Sequence, residues 1–286
     1  MRLSTISVDQ GTAAAVVLGD SAAVIADEHG QPVFADVGSL LQADTDGWAQ
    51  AVKTAAAGHF RPLDPARVLR PILHPSAIVC VGLNYRTHIL EMGRELPKHP
   101  TYFAKLARAL TDPNCDIALP RASQRVDYEG ELVAVIGGGG RDIPAAHAWE
   151  AVAGLTLMND VSMRDFQSRT LQWFAGKNWE RSTPVGPAIV TRDELAAFEQ
   201  SELRVAVNGE ARQQSKISDL VFDIPALVAD LSRIVELRPG DLIATGTPAG
   251  VGDAMEPQRY LADGDVVEVT VDGLGTLQNT FRQEPC

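Results

Sequence analysis

Cysteine is scarce in this chain. It has three in 286 residues (Cys80, Cys115 and Cys286), an odd number with no C-x-x-C spacing. That argues against a disulfide frame and a thiolate zinc site, and for a reducing, cytoplasmic setting. Basic residues are outnumbered, with 25 Lys and Arg against 37 Asp and Glu, for a formal net charge of −12. Such a surface repels polyanions, so neither nucleic acid nor an anionic membrane is an expected partner. No apolar run approaches the roughly 18 residues of a transmembrane helix. The N-terminus, Met-Arg-Leu-Ser-Thr-Ile-Ser-Val-Asp, lacks the apolar core and cleavage site of a signal peptide. Also missing are G-x-G-x-x-G, the P-loop pattern, the G-x-S-x-G elbow and H-E-x-x-H, which argues against nucleotide binding, serine hydrolysis and zinc proteolysis. What remains is an ordinary globular composition, 45% hydrophobic and 22% charged, long enough for one large domain or two modest ones.

Along the chain, strand signals outnumber helix signals. Apolar runs at Ala13–Leu18 and Ala22–Ala26 are split by Gly19-Asp20, and residues 37–58 carry Leu40, Leu41, Trp48 and Val52 at roughly helical spacing. Four prolines between 59 and 76 place a boundary there, giving a small N-terminal α/β module, 1–70, and a main domain, 71–286. In that domain, strands are predicted at Ile78–Val81, Leu132–Ile136, Leu155–Met158, Ala188–Val190, Leu203–Val207, Leu242–Ala244 and Val266–Val271. Helices are predicted near Arg86–Met92, Pro144–Val152 and Pro225–Val235. The fold class expected is α+β, rich in strand.

The strongest chemical signal is Asp127-Tyr128-Glu129-Gly130-Glu131, which runs into a buried strand. If the segment is already extended, its three acids share one face, because strand side chains alternate. Like charges stacked this way need compensation, and a hard divalent cation (Mg²⁺, Mn²⁺ or Ca²⁺) supplies it. An exposed acidic strand in an acidic protein is the plain alternative. Asp160 ends an apolar run, as a ligand or as a cap for the next segment. His88 and Glu91, three apart on a short helix, form either a general-base pair or a surface contact. Lys177 follows a glycine between aromatics, where partial desolvation would let it stabilise an enolate or carboxylate. The glycine-rich turn Thr245–Gly252 offers backbone N–H groups to an anion.

Taken in order, these blocks resemble the fumarylacetoacetate hydrolase superfamily. The matching stretches are Val81-Gly-Leu-Asn-Tyr-Arg-Thr-His88-Ile-Leu-Glu91, Phe103-Ala-Lys105, Asp127-Tyr-Glu129-Gly-Glu131-Leu, Asn159-Asp160-Val-Ser-Met-Arg-Asp165, Gly176-Lys177 and Arg238-Pro-Gly-Asp241 through Gly252. They span roughly residues 70–275. The resemblance implies a mixed β-roll catalytic domain, usually a homodimer, and Mg²⁺ or Mn²⁺ held by Glu129, Glu131 and Asp160. It implies catalytic roles for His88 and Glu91, as a water-activating pair, and for Lys177. Substrate contacts fall to Arg86, Lys105, Gln167 and Thr247, and an orienting role to Asp127. The chain departs from the family pattern at Leu106–Leu110 and Asn178–Glu180, both expected at the pocket rim. Asn84 stands where founding members carry an early aspartate ligand, which favours a three-carboxylate branch.

The activity so implied is metal-dependent cleavage of a C–C bond in 2,4-dioxo acids of the acylpyruvate or fumarylpyruvate type, through a metal-stabilised enolate. The alternative is oxaloacetate decarboxylation, which leaves the same enolate, or isomerisation or hydration of unsaturated 2-oxo acids, which begins from a metal-bound enol. A non-catalytic, metal-stabilised binding protein is a third reading. An oligomeric scaffold gives no reason to gather carboxylates at one face.

Overall fold

The computed structural model describes residues 1–43, 45–91, 93, 95–195 and 198–284, with the side chains of Thr45, Asp46, His88 and Glu91 outside that description. Two sheets carry the α+β architecture. The larger has twelve strands; its path runs through Gly11–Leu18, Arg2–Val8, Thr183–Thr191, Val152–Asn159, Gly130–Ile136, Leu242–Ala244, Ile78–Gly82 and Thr101–Ala104. These pair antiparallel except for Leu242–Ala244 beside Ile78–Gly82. The smaller sheet has five strands in the order Glu210–Lys216, Glu202–Val207, Val266–Val271, Gly275–Gln283, Asp116–Leu119.

The strand Gly130–Ile136 is buried along its whole length and feeds two cores by alternation. Leu132, Ala134 and Ile136 pack toward Val205, Val269 and Phe281 of the smaller sheet, and toward Leu227 and Leu231 of the helix Ile224–Ile234. Val133 and Val135 face the other way, into a core with Leu3, Val16, Leu40 and Leu41. Each such aliphatic side chain contributes about 1.5–3 kcal/mol on burial. The helix Ile224–Ile234 starts where Asp223 accepts from the Ala226 N–H and Pro225 fills the first turn. The helix expected over 144–152 is shorter. Its α-turn spans Ala145–Ala148, a 3₁₀ turn follows, and Val152 already belongs to a strand whose buried length outweighs local propensity.

Residues 1–69 supply strands to the same large sheet, because Arg2–Val8 pairs with Thr183–Thr191. The proline-rich stretch at 59–76 therefore crosses a continuous sheet, and Leu3, Val37 and Leu40 share a core with Ile78, Val133 and Ile189. Among the described residues no helix is long and apolar enough to cross a membrane.

Candidate metal centre and cavity

Hydrogen-bond register builds the site. Gly130 pairs with Asn159 and Glu131 with Met158. The Asp160 N–H donates to the Glu129 carbonyl (2.8 Å), carrying the ladder past the strand ends, and Val126–Asp127 pairs with Ser162–Met163 in the same register. Residues opposite one another share a face. Asp127, Glu129, Glu131 and Asp160 therefore lie on one side of the ladder, and all four are buried. One ligand oxygen each from Glu129, Glu131 and Asp160 falls within 4.8 Å of the others.

Three buried cations meet these acids. Lys177 Nζ donates to Glu129 Oε2 (2.5 Å) and Asp160 Oδ2 (2.7 Å). Lys105 Nζ donates to Asp160 Oδ1 (2.5 Å). Arg164 reaches Asp127 through Nε (2.8 Å) and Glu129 through Nη1 (2.6 Å). Lys177 gets there because its short helix, Phe174–Lys177, lies against Gln167; a Cβ on Gly176 would sit 2.4 Å from the Gln167 Cβ.

The titration directions follow from this arrangement. Burial works to raise the Glu129 carboxyl, but Lys177 and Arg164 outweigh it and hold it below the ordinary value. Asp160 is likewise held low, with Lys105 and Lys177 overcoming burial. Lys177 is pushed up, since Asp160 and Glu129 overcome the burial of its ammonium. Glu131 goes well above its ordinary value, first from burial and then from Asp160 and Glu129. It accepts the Gly246 N–H (2.9 Å), and no described basic group is within ion-pair reach. Three converging carboxylates, one of them lacking a counter-ion, fit a hard divalent cation.

The glycine-rich turn does hold anions, and they are the protein's own. Gly252 and Asp253 donate backbone N–H groups to Asp127, and Gly246 donates to Glu131 from a left-handed φ of +97°, which glycine adopts without strain. Asp127, with Tyr128 N–H as a further donor, fixes Arg164 and through it Glu129.

A cavity of about 530 Å³ opens over the centre and includes Glu129, Glu131, Lys177, Gln167 and Thr247 in its lining. Gln167 Oε1 accepts from Arg164 Nη1. The Thr247 hydroxyl donates to the Gly130 carbonyl and accepts from Gln213 Nε2. Lys105 does not line the cavity; its ammonium is sealed against Asp160. Arg86 is exposed at the start of the helix Arg86–Glu91, outside the lining. That helix carries positions 88 and 91, and the His88 and Glu91 side chains lie outside the described residues. Neither 106–110 nor 178–180 lines the cavity. Asn178 instead ties the two together by accepting the Leu106 N–H (2.6 Å). Asn84 is spent in the fold: its Nδ2 donates to the Phe222 and Thr245 carbonyls and its Oδ1 accepts from the Phe222 N–H.

Arg164 is the functional side chain that sequence reasoning passed over. It sits four residues after Asp160, lines the cavity, and its buried Nη2 has no partner. An arginine four past a carboxylate ligand, with an aspartate two before the first glutamate, was the available signal.

Comparison with known proteins agrees with this geometry. The family model described as fumarylacetoacetate (FAA) hydrolase C-terminal matches residues 77–282. Protein Rv2993c of Mycobacterium tuberculosis is 46% identical over 78% of this chain and 81% of its own. The oxaloacetate tautomerase YisK of Bacillus subtilis is 39% identical over 81% and 78%. Among solved structures, 5-carboxymethyl-2-hydroxymuconate delta-isomerase from Mycobacterium smegmatis aligns over the full length of both chains with a TM-score of 0.78 and 37% identity. Maleylpyruvate hydrolase from Sphingobium, in complex with manganese and pyruvate, also aligns over both full lengths, with a TM-score of 0.81 and 29% identity. The buried carboxylate centre thus sits within a family of enzymes whose members bind a divalent metal, and the chain belongs to the fumarylacetoacetate hydrolase family.

Proposed function

We propose that the protein interconverts the keto and enol forms of a 2-oxo acid. Isomerisation of suitable substrates would start from the same kind of enolate, and decarboxylation or C–C cleavage would release one. The observation that carries this reading is the cavity floor, where Glu129, Glu131 and Asp160 converge beside the buried cations Lys177 and Arg164. Relatives named as an oxaloacetate tautomerase and as a delta-isomerase support proton-shift chemistry over hydrolysis.

Glu129, Glu131 and Asp160 would hold Mg²⁺ or Mn²⁺, which as a Lewis acid polarises a 2-oxo group. Lys177, pushed up by its carboxylate neighbours, stays an ammonium at neutral pH. It therefore contributes positive charge and hydrogen bonds to the developing enolate rather than taking a proton. Arg164, its guanidinium plane fixed by Asp127 and Glu129, adds positive charge at the cavity floor that would favour the substrate carboxylate. Gln167, its oxygen engaged by Arg164, presents the amide NH₂ as a donor. The proton at C3 is assigned to His88, with Glu91 three residues on along the same helix.

The reading is tested by following the enol absorbance of oxaloacetate and of a 2,4-dioxo acid, with Mg²⁺ or Mn²⁺ and after chelation. Enzyme-dependent enol decay that chelation and Glu129→Gln both abolish is the expected result. Decay at the uncatalysed rate would refute it. A metal-dependent release of pyruvate from the 2,4-dioxo acid, without faster tautomerisation, would transfer the assignment to C–C hydrolysis.

A further inference from the structure

We propose that the end of the substrate farthest from its 2-oxo acid group is apolar and uncharged, rather than a second carboxylate. This inference rests on the functional reading above and names the substrate class for that same site. The cavity is asymmetric. Its floor is charged, while much of its remaining wall is apolar, formed by Leu83, Phe103, Leu171, Trp173, Val251 and Ala254.

The apolar wall begins where the floor ends. Phe103 presents its ring 5.3 Å from Lys177 Nζ, the same ammonium that touches Glu129 and Asp160. Trp173 meets Phe103 edge to face, with ring centroids 5.4 Å apart and planes at 76°. The indole lies directly on the backbone of Gly82, where an added Cβ would come within 2.4 Å of the ring. Gly82 therefore makes room for the indole, and the two aromatic rings form a fixed surface leading outward. Leu171, 97% exposed, continues it at the mouth.

Charge points the same way. Among the described residues lining the cavity, the cations are Arg164 and Lys177, and both are engaged at the floor. The outer wall adds a carboxylate, Asp253, whose partner Arg125 (2.8 Å) is already committed to it and to Tyr260. A second carboxylate on the substrate would leave water to face apolar rings and an aspartate, with no described cation to replace its hydration. A phenyl or branched alkyl group would instead cover Trp173 and Phe103. The volume, about 530 Å³, lies in the range that holds ligands well above the size of a four-carbon acid.

The test compares three 2-oxo acids on the full-length, Mg²⁺-loaded protein: 2,4-dioxo-4-phenylbutanoate, 2,4-dioxopentanoate and oxaloacetate. Both kcat/KM and dissociation constants from tryptophan fluorescence are measured. The phenyl compound should exceed the methyl compound by about 10–100-fold in affinity, the range for burying an aromatic ring. It should exceed oxaloacetate by at least as much. In Trp173→Ala the phenyl-to-methyl ratio should fall to within about threefold of unity, and Trp173→Phe should restore most of it. A ratio unchanged in Trp173→Ala, or oxaloacetate preferred over the phenyl compound, overturns the proposal while leaving 2-oxo acid chemistry in place. If none of the three binds or reacts, the functional reading fails and the proposal fails with it.

Discussion

Replacing Glu131 with glutamine should make the metal-free protein more stable, although it removes a proposed metal ligand. Glu131 is buried beside two other carboxylates, has one hydrogen-bond donor in the Gly246 N–H, and meets no described basic group. Its raised pKa means that the folded state disfavours the ionised form. Burying an uncompensated ion costs several kcal/mol, whereas glutamine keeps the shape and an oxygen to accept from Gly246. A gain of about 2 kcal/mol is a conservative expectation. With an unfolding entropy of roughly 0.6 kcal/mol/K for a chain of this length, that raises Tm by about 3 °C. The sign with pH is fixed. A carboxyl with a raised folded-state pKa weakens the fold above that pKa, and the penalty vanishes as pH falls through its ordinary value near 4.5. The advantage of the variant should therefore grow as pH rises above about 4.5 and disappear as pH falls to that value. Mg²⁺ should reverse the order. At 100 times its Kd the ion adds about 2.7 kcal/mol, or 4–5 °C, to the wild type and little to the variant. Scanning calorimetry in chelator and in Mg²⁺ reads both effects. A variant less stable than wild type in chelator, or an equal Mg²⁺ shift in both proteins, would refute the reasoning.

Asp127→Asn removes the carboxylate that fixes Arg164 and leaves that guanidinium half-paired, so a loss of about 3–5 kcal/mol in denaturant unfolding is expected. Metal affinity by calorimetry should fall about 10–100-fold even though no proposed ligand is changed; unchanged affinity would show that Arg164 does not orient Glu129. His88→Ala should slow tautomerisation and 2,4-dioxo acid cleavage by about 10²–10⁴-fold while sparing oxaloacetate decarboxylation, which needs neither proton abstraction nor an attacking water. Equal losses in all three reactions would remove His88 as the base. Acid titration should unfold the metal-free protein below about pH 4.5, because Glu129 and Asp160 carry lowered pKa values and their stabilisation disappears once protons outcompete Lys177, Lys105 and Arg164. A flat stability between pH 6 and 3 would contradict this.

The carboxylate cluster was legible because strand alternation alone puts Asp127, Glu129 and Glu131 on one face. The position of Asp160 opposite Glu129 depends on a register between segments some thirty residues apart, and no local pattern encodes it. The buried strands with continuous apolar runs were readable too. Glu210–Lys216 escaped notice because only Gln213 on it is buried, and Gln213 works by hydrogen bonds to Gly130, Thr247 and Pro248 rather than by hydrophobicity. Gly275–Gln283 alternates properly, but the buried Asn279 interrupts the apolar signal between Leu277 and Phe281. The glycine-rich turn reads as an anion cradle from sequence. That its anions are Asp127 and Glu131 follows only from tertiary structure.

The ladder that aligns Gly130 with Asn159 has a consequence for how the site comes and goes. Glu131 lies within the central strand Gly130–Ile136, and Glu129 and Asp160 directly adjoin the paired ends of two fully buried strands, so separating them breaks the Asp160 N–H to Glu129 carbonyl bond that continues this ladder. Local fraying is confined to weakly packed edges, and opening here belongs to global unfolding. The amide protons of Glu131 through Ala134 should then be among the last to exchange with solvent. The centre is assembled in the same event as the core, and it should persist as long as the fold does.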